Sequence, residues 1–360
     1  MEKYKVGILG ATGTVGQKFI TLLENHPWFD VTVLAASSNS AGKKFKDAVN
    51  KKWAEEKALP VKYENITVLD VEKDAEKIAE EVDFVFCALG CEKEKIKKIE
   101  EMYAKLECPV VSNNSANRMV CDVPMIIPEI NADHLDIIKY QKARLGTKKG
   151  FIAVKSNCSI QCYVPAIHAA FENMVKDVLV CTYQAISGAG KTFKTWPEMM
   201  DNIIPYIPGE EEKSEVEPLK IWGKIENGKI DLNKNINITS QCVRVPVSNG
   251  HTAAVFVSFK EKISPSEFIK KLENFKVHEK SKDLPSSPEK FIHYFSSEER
   301  PQIKLDRNLE KGMGVSVGRV REDKQYDIKF ICMSHNTVRG AAGGAILLAE
   351  MLCREGYICK

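Results

Sequence analysis

The run Gly10-Ala11-Thr12-Gly13-Thr14-Val15-Gly16 constrains this chain more than any other feature. It follows Lys5-Val6-Gly7-Ile8-Leu9, which reads as a short buried strand, and leads into an amphipathic segment, Gln17 to Glu24, which reads as a helix. Glycines at such a turn let the backbone bend tightly and approach a diphosphate. The helix start adds unpaired N–H groups and the positive end of its dipole. The spacing is G-x-x-G-x-x-G, not the commoner G-x-G-x-x-G, and such a turn taken alone equally serves close packing. Strand, loop and helix together predict a dinucleotide site in which Gly10, Thr12, Gly13, Thr14 and Val15 form the cradle.

The second strand, Val31 to Ala36, narrows the cofactor. A diol-binding site places an acid near the end of this strand, yet the nearby acid, Asp30, lies at its beginning. The strand runs instead into Ser37-Ser38-Asn39-Ser40 and then Gly42-Lys43-Lys44. Hydroxyls on Ser37, Ser38 and Ser40 with the Lys43 ammonium suit a 2′-phosphate, and so NADP. Further apolar runs at Phe84 to Leu89 and Val110-Val111 continue the strand–helix alternation of a parallel sheet. The charged stretch from Glu92 to Lys105 reads as a solvated helix face.

A chain of 360 residues suits two domains better than one core. The net charge of +3, from intermixed acids and bases, argues against a nucleic-acid partner. No apolar run approaches 18 residues and no leader precedes the first strand, so the expectation is a cytoplasmic protein without membrane contact. Eleven cysteines are an odd number without disulfide spacing or zinc knuckles, which predicts free thiols and no metal.

The chemistry concentrates after Phe151. Ser156-Asn157-Cys158-Ser159-Ile160-Gln161 puts a cysteine where an extended segment turns into a helical pattern running to about Phe171. A thiol there sees the helix dipole and free N–H groups, and both favour the nucleophilic thiolate. A strand from Leu179 to Ile186 ends in Ser187-Gly188-Ala189-Gly190, a flexible turn suited to the nicotinamide side of a cofactor. Glu210-Glu211-Glu212-Lys213 opens a helix ending near Trp222, and Cys242 to Val247 leads through Asn249-Gly250-His251 into a strand, Ala253 to Phe259. Of seven histidines, His134, His278 and His293 sit in charged, exposed-looking surroundings, whereas His251 and His335 lie at strand-edge loops. His251 gains weight from Arg244, a fixed cation in the same loop–strand unit and a partner for an acidic substrate. Each residue has a plainer reading. Glu210 and Lys213 make an i,i+3 surface pair, Arg118 pairs with Asp122, and Cys162 is core packing one turn beyond Cys158.

Taken together, these motifs resemble aspartate-semialdehyde dehydrogenase over essentially the whole chain. They are the glycine loop, Ser40-Ala41-Gly42-Lys43-Lys44, Ser112 to Arg118, Ser156 to Ser159, Gln184 to Gly190, Glu210 to Lys213, Val243 to His251, and His335 to Gly343. The run from Ser40 to Lys44 and the C-terminal pattern are similar to the archaeal and fungal branch. The resemblance implies NADPH-dependent reductive dephosphorylation of 4-aspartyl phosphate to L-aspartate 4-semialdehyde, in biosynthesis of lysine, threonine, methionine and isoleucine. It implies Cys158 as nucleophile, His251 as acid/base and Gln184 as orienting residue. Arg244 and Glu210 match the groups meeting the substrate carboxylate and ammonium, with Asn157 beside the nucleophile also at the substrate. Arg118 and Lys213 match the phosphate cations. Asn336 matches a position near the nicotinamide, the side to which the flexible turn at Ser187 and Gly188 is also suited.

The expected architecture is α/β. A Rossmann-type parallel sheet spans residues 1–155, and a catalytic and dimerisation domain spans 156–336. A last helix, about Asn336 to Cys353, returns to the first domain, so that 337–360 pack back on it. The resemblance further implies a homodimer or homotetramer. The rival readings are an acyl-CoA reductase like malonyl-CoA reductase, N-acetyl-glutamyl-phosphate reductase, and a non-catalytic NADP-binding redox sensor. An acid for a substrate amino group counts against the first two, and a carboxylate clamp against the third.

Overall fold

The computed structural model of the chain describes residues 2–171 and 174–360. Seven strands make the first sheet: β1 (Tyr4–Leu9), β2 (Phe29–Ala36), β3 (Leu69–Asp70), β4 (Phe84–Cys87), β5 (Val110–Ser112), β6 (Met125–Ile126) and β7 (Ile152–Lys155). Their spatial order is β3-β2-β1-β4-β5-β7-β6, and every pairing is parallel. Helices cover both faces, which is why β4 and β7 are continuous buried apolar runs up to Lys155. The direction of connection reverses between β1 and β4, and a crevice opens there beyond the strand ends.

The second sheet takes β8 (Val175–Gln184), β11 (Asn237–Arg244), β12 (His251–Phe259), β13 (Ile292–Phe295), β14 (Val315–Glu322) and β15 (Ile328–Ser334) in the order β11-β8-β12-β15-β14-β13. A separate hairpin pairs β9 (Lys224–Glu226) with β10 (Lys229–Asp231). Along β12, buried residues alternate with half-buried ones. The buried face, Ala253, Val255 and Val257, packs on the helix Ile160–His168. Helix Gly343–Arg354 leaves the second sheet and packs on β5 and β7, its Leu347, Leu348 and Leu352 lying in the core of the first sheet.

Several local expectations shift. The first helix begins at Thr14, and the nucleophile helix ends at His168, short of Phe171. The C-terminal segment is not one helix: a π-type turn, Val338–Ala342, with Ala341 off helical geometry precedes the regular helix. The charged helix Lys93–Lys105 is not wholly solvated, because Glu100 is fully buried and accepts from Ser112 Oγ at 2.5 Å and Asn117 Nδ2 at 2.7 Å. His134 is buried between Asn131 and the Gly223 carbonyl rather than exposed.

Candidate active site

The chain leaves β7 at the centre of the molecule and turns through residues 156–159 into the helix capped by Ser159. Asn157 Oδ1 holds this turn, accepting from the Ser159 N–H and Oγ, each at 2.7 Å. Gln161 donates to Ser156 Oγ at 2.5 Å and accepts from Arg339 Nε at 3.0 Å. Arg339, wholly buried, closes on Glu129 with two bonds of 2.5 Å. The neighbouring Gly340 is so close that a Cβ there would lie 2.8 Å from Cys158 Cβ. The nucleophile turn, buried except for the half-buried Cys158, is thus clamped by the C-terminal segment.

Cys158 Sγ lies 3.4 Å from His251 Nε2. The Ala185 N–H donates to His251 Nδ1 at 3.0 Å, which assigns the neutral ring's proton to Nε2, the nitrogen facing sulfur. The expected thiolate is not the resting form. Burial, aided by the Glu210 carboxylate, pushes the thiol up to about 11 against the pull of Lys155, Arg118 and Arg244. Desolvation outweighs the dipole, and Cys158 lies one residue outside the helix cap. Burial and the Arg244 charge drive His251 down to about 3, so thiol and imidazole are both neutral at rest.

Glu210 is the hub of the adjoining polar cluster. It accepts from Lys213 Nζ at 2.6 Å, Asn157 Nδ2 at 3.1 and 3.2 Å, and Gln184 Nε2 at 3.3 Å. Burial opposes ionisation, yet the Lys213 charge and these donated bonds hold the carboxyl below the usual carboxylate range. The Glu210–Lys213 i,i+3 pair therefore exists, but inside the site and not on an open surface. Arg244 is buried at the end of β11, with Nη1 on the Ala185 carbonyl at 2.8 Å. A side chain at Gly188 would meet that nitrogen at 2.9 Å. Arg118 does not pair with Asp122, which belongs to Arg144. It is buried and donates to Lys155 O, Glu217 Oε1 and Asn113 O, each at 2.9 Å. Three of its five N–H groups are so committed, leaving one on each terminal nitrogen for an anion.

The residues read as a dinucleotide cradle fit that group. Gly10, at φ +89°, and Gly16 have no room for a side chain, whereas a Cβ on Gly13 would meet nothing nearer than Gly10 O at 3.4 Å. The loop is therefore packed from below and open above. Gly13 caps the helix Thr14–Leu23 without a side-chain bond, so its first N–H groups stay available to an anion. Thr12 lends its carbonyl to the fold, accepting from Gln17 Nε2 at 3.0 Å, and Val15, half-buried, is the second residue of the helix. Ser37 and Ser38 are exposed at the end of β2, Ser40 is buried beneath them, and Lys43 Nζ folds onto Asn39 O at 2.8 Å. Across the cleft, Gly190 comes within 3.5 Å of Thr14 Oγ1, measured from its Cβ position. Asn336 links Ser187 Oγ at 2.9 Å to the Gly250 N–H at 2.8 Å, tying the 187–190 turn to the loop before His251.

Sequence reasoning missed three contributors. Glu217, 2% exposed, holds both Arg118 and the Asn157 N–H. Its spacing from Glu210 and Lys213, seven and four residues, marks the same helix face. Lys155 is fully buried with its ammonium on Ser156 O. A lysine closing an apolar strand was the signal. Lys220, on the same face as Glu217, donates to the carbonyls of Arg118 at 2.6 Å, Val120 at 2.7 Å and Val123 at 2.8 Å.

A dinucleotide-type sheet meeting a mixed sheet at a cysteine–histidine pair is the layout of a dehydrogenase that works through a thiol. Family models agree: semialdehyde dehydrogenase, NAD binding domain, matches residues 5–138, and semialdehyde dehydrogenase, dimerisation domain, matches residues 165–339. The chain belongs to the aspartate-semialdehyde dehydrogenase family. It is 41% identical to the aspartate-semialdehyde dehydrogenase of Archaeoglobus fulgidus, covering 99% of this chain and 100% of that one. With the Aspergillus fumigatus enzyme it shares 40%, over 99% of each chain. Among solved structures, the Candida albicans enzyme with NADP superposes with a TM-score of 0.88 at 37% identity, over 99% of this chain and 100% of that one. Aspartate semialdehyde dehydrogenase II of Vibrio cholerae gives 0.74 at 26% identity, over 98% and 99%.

Proposed function

We propose that the protein catalyses the reversible, phosphate-dependent conversion of 4-aspartyl phosphate to L-aspartate 4-semialdehyde with NADPH, in biosynthesis of lysine, threonine, methionine and isoleucine. The observation that carries this reading is the 3.4 Å Cys158–His251 pair flanked by Arg118, Lys213, Glu210 and Arg244. Two cations for a phosphate, one for a carboxylate and one acid for an ammonium match this zwitterionic acyl phosphate. An acyl-CoA substrate without an amino group would leave Glu210 without its partner.

In the reductive direction Sγ attacks the acyl carbon, the bond to the phosphate oxygen breaks, and the thiol proton leaves with phosphate. Arg118 and Lys213 hold that leaving group. The resulting thioester divides one difficult displacement into two easier steps. NADPH, when bound in the crevice, supplies the hydride that reduces the acyl carbon. The Cys158 N–H is the donor this turn offers to the tetrahedral oxyanion, the Asn157 and Ser159 N–H groups being committed to Glu217 and to Asn157 Oδ1. As the carbon–sulfur bond breaks and the aldehyde forms, the His251 Nε2–H stabilises the departing sulfur with a hydrogen bond, and a proton taken from solvent restores the thiol. Glu210, held in place by Asn157 and Gln184, meets the ammonium, Gln184 orients the intermediate, and Arg244 holds the carboxylate. The glycine loop, Ser37, Ser38, Ser40 and Lys43 hold the dinucleotide, with Ser187, Gly188 and Asn336 at its nicotinamide end.

We read residues 1–155 with 337–360 as the cofactor domain and 156–336 as the catalytic and dimerisation domain, in a cytoplasmic homodimer or homotetramer. Among the described residues no helix is long and apolar enough to cross a membrane. The half-buried face of the second sheet, with Leu179, Cys181, Tyr183, Ala254, Phe256 and Ile331, supports self-association.

The test follows NADP reduction by aspartate semialdehyde with and without phosphate, in the wild type and in Cys158→Ala. Phosphate-dependent turnover that disappears in a variant still binding NADP supports the reading. Turnover that needs coenzyme A in place of phosphate overturns it.

A further inference from the structure

Glu217 has no role in the chemistry just described, yet its carboxylate is one of the most committed groups near Cys158. It lies on the helix Glu210–Ile221, two turns beyond Glu210, and it is buried. Oε1 accepts from Arg118 Nη1 at 2.9 Å and Oε2 from the Asn157 N–H at 2.6 Å. Those partners come from different parts of the fold. Arg118 follows β5 on the first sheet, Asn157 precedes the nucleophile, and Glu217 belongs to a helix packed on the second sheet. A buried carboxylate persists only when paired and hydrogen-bonded, and here both oxygens are engaged.

We propose that Glu217 is a positioning residue for phosphate transfer: it fixes the Arg118 guanidinium relative to the turn that carries Cys158. The proposal rests on the phosphate-dependent reading above. A guanidinium on a flexible side chain carries substantial rotamer entropy. With Lys155 O, Asn113 O and Glu217 each holding one N–H, that freedom is lost before substrate arrives. Because the same carboxylate holds the backbone beside the nucleophile, the anion-binding cation and the attacking sulfur keep one mutual geometry. Lys220, one turn on, reinforces the brace on the carbonyls of Arg118, Val120 and Val123. Misplacement of such a group by about 1 Å costs on the order of 10²-fold in rate.

The experiment measures kcat/KM for phosphate and KM for NADP in the wild type, Glu217→Gln, Arg118→Met and the double variant. A wild type without phosphate-dependent turnover sinks the functional reading before any variant is compared. Given that turnover, Glu217→Gln is expected to lower kcat/KM for phosphate about 100-fold while KM for NADP stays within about twofold. The double variant should lose no more than Arg118→Met alone, since Glu217 acts through that guanidinium. Losses that multiply, or an unchanged kcat/KM for phosphate, overturn the proposal. If Glu217→Gln fails to fold, Glu217→Asp, whose shorter arm spans only one partner, takes its place. Failure of both to fold assigns Glu217 to stability alone and overturns it as well.

Discussion

Cys158 and His251 face each other at 3.4 Å with both groups uncharged, because the Ala185 N–H occupies His251 Nδ1 and burial disfavours either ion. Such a pair is poised rather than activated. Thiolate is not stored in the free protein; it forms when substrate brings the electrophile and the proton has somewhere to go.

Alkylation reads this state directly. With the thiol pushed up to about 11, Cys158 modification by iodoacetamide should rise with pH across the range 7 to 10 without a plateau. Exposed thiols level off earlier, so mass spectrometry of the Cys158 peptide makes the comparison. A rate already constant from pH 6 would mean a preformed thiolate and would refute the neutral pair.

The dinucleotide loop and the nucleophile turn were legible in the sequence because each is local: strand, glycines and helix follow within twenty residues, as do strand, cysteine and helix. His251 was legible through its strand-edge loop, its spacing from Arg244 and the motif that contains it. Lys155, Glu217 and Gly340 were not, because their importance comes from β7, a helix of the second sheet and the C-terminal segment converging on one point. The thiol's protonation was misread for the same reason. A helix dipole can be inferred from the sequence, whereas the burial that outweighs it is a property of the assembled fold.

Lys155 ties stability to catalysis. Burial, with the Arg118 charge second, lowers its ammonium to about 7. Arg339 adds to that lowering, while Cys158 and Glu217 oppose it. Between about 7 and its ordinary value near 10.5 the unfolded chain binds more protons, so stability rises with pH across that window. Below it, the full cost of the buried charge remains. Lys155→Met should therefore raise Tm at pH 6.5, by a stabilisation on the order of a few kcal/mol, and much less at pH 10. The same variant should alkylate more slowly at Cys158, since the Lys155 charge lowers that thiol. Equal Tm gains at both pH values would contradict the account.

The end of β2 carries cofactor choice. Ser37 and Ser38 are exposed there; Asp30 lies at the other end of the strand, and Asp70, paired with Ala36 on the neighbouring β3, is buried and turned onto the N–H groups of Glu72 and Lys73, each at 3.0 Å. Ser38→Asp would repel a 2′-phosphate and offer an acceptor to a free hydroxyl. KM for NADP should rise at least about tenfold, the effect of losing one bond to a charged group at roughly 1.5 kcal/mol, while KM for NAD falls. Parallel steady-state assays with the two dinucleotides settle it; an unchanged ratio would move the phosphate site away from this turn.

Gly340 offers the sharpest steric test. A methyl group there would lie 2.8 Å from Cys158 Cβ and 3.2 Å from its Cα, closer than side-chain carbons pack. Neither neighbour can yield cheaply. Gly340 sits beside Arg339, pinned to Glu129, and Cys158 sits beside Asn157, pinned by Glu217. Gly340→Ala should therefore cost about 1–3 kcal/mol of stability by overpacking. Displacing sulfur from its line with His251 should lower kcat by ~10²-fold while NADP binding is unchanged. Calorimetry, turnover and NADP titration on one preparation separate these effects. Full activity with an intact Tm would show that the C-terminal segment does not clamp the nucleophile.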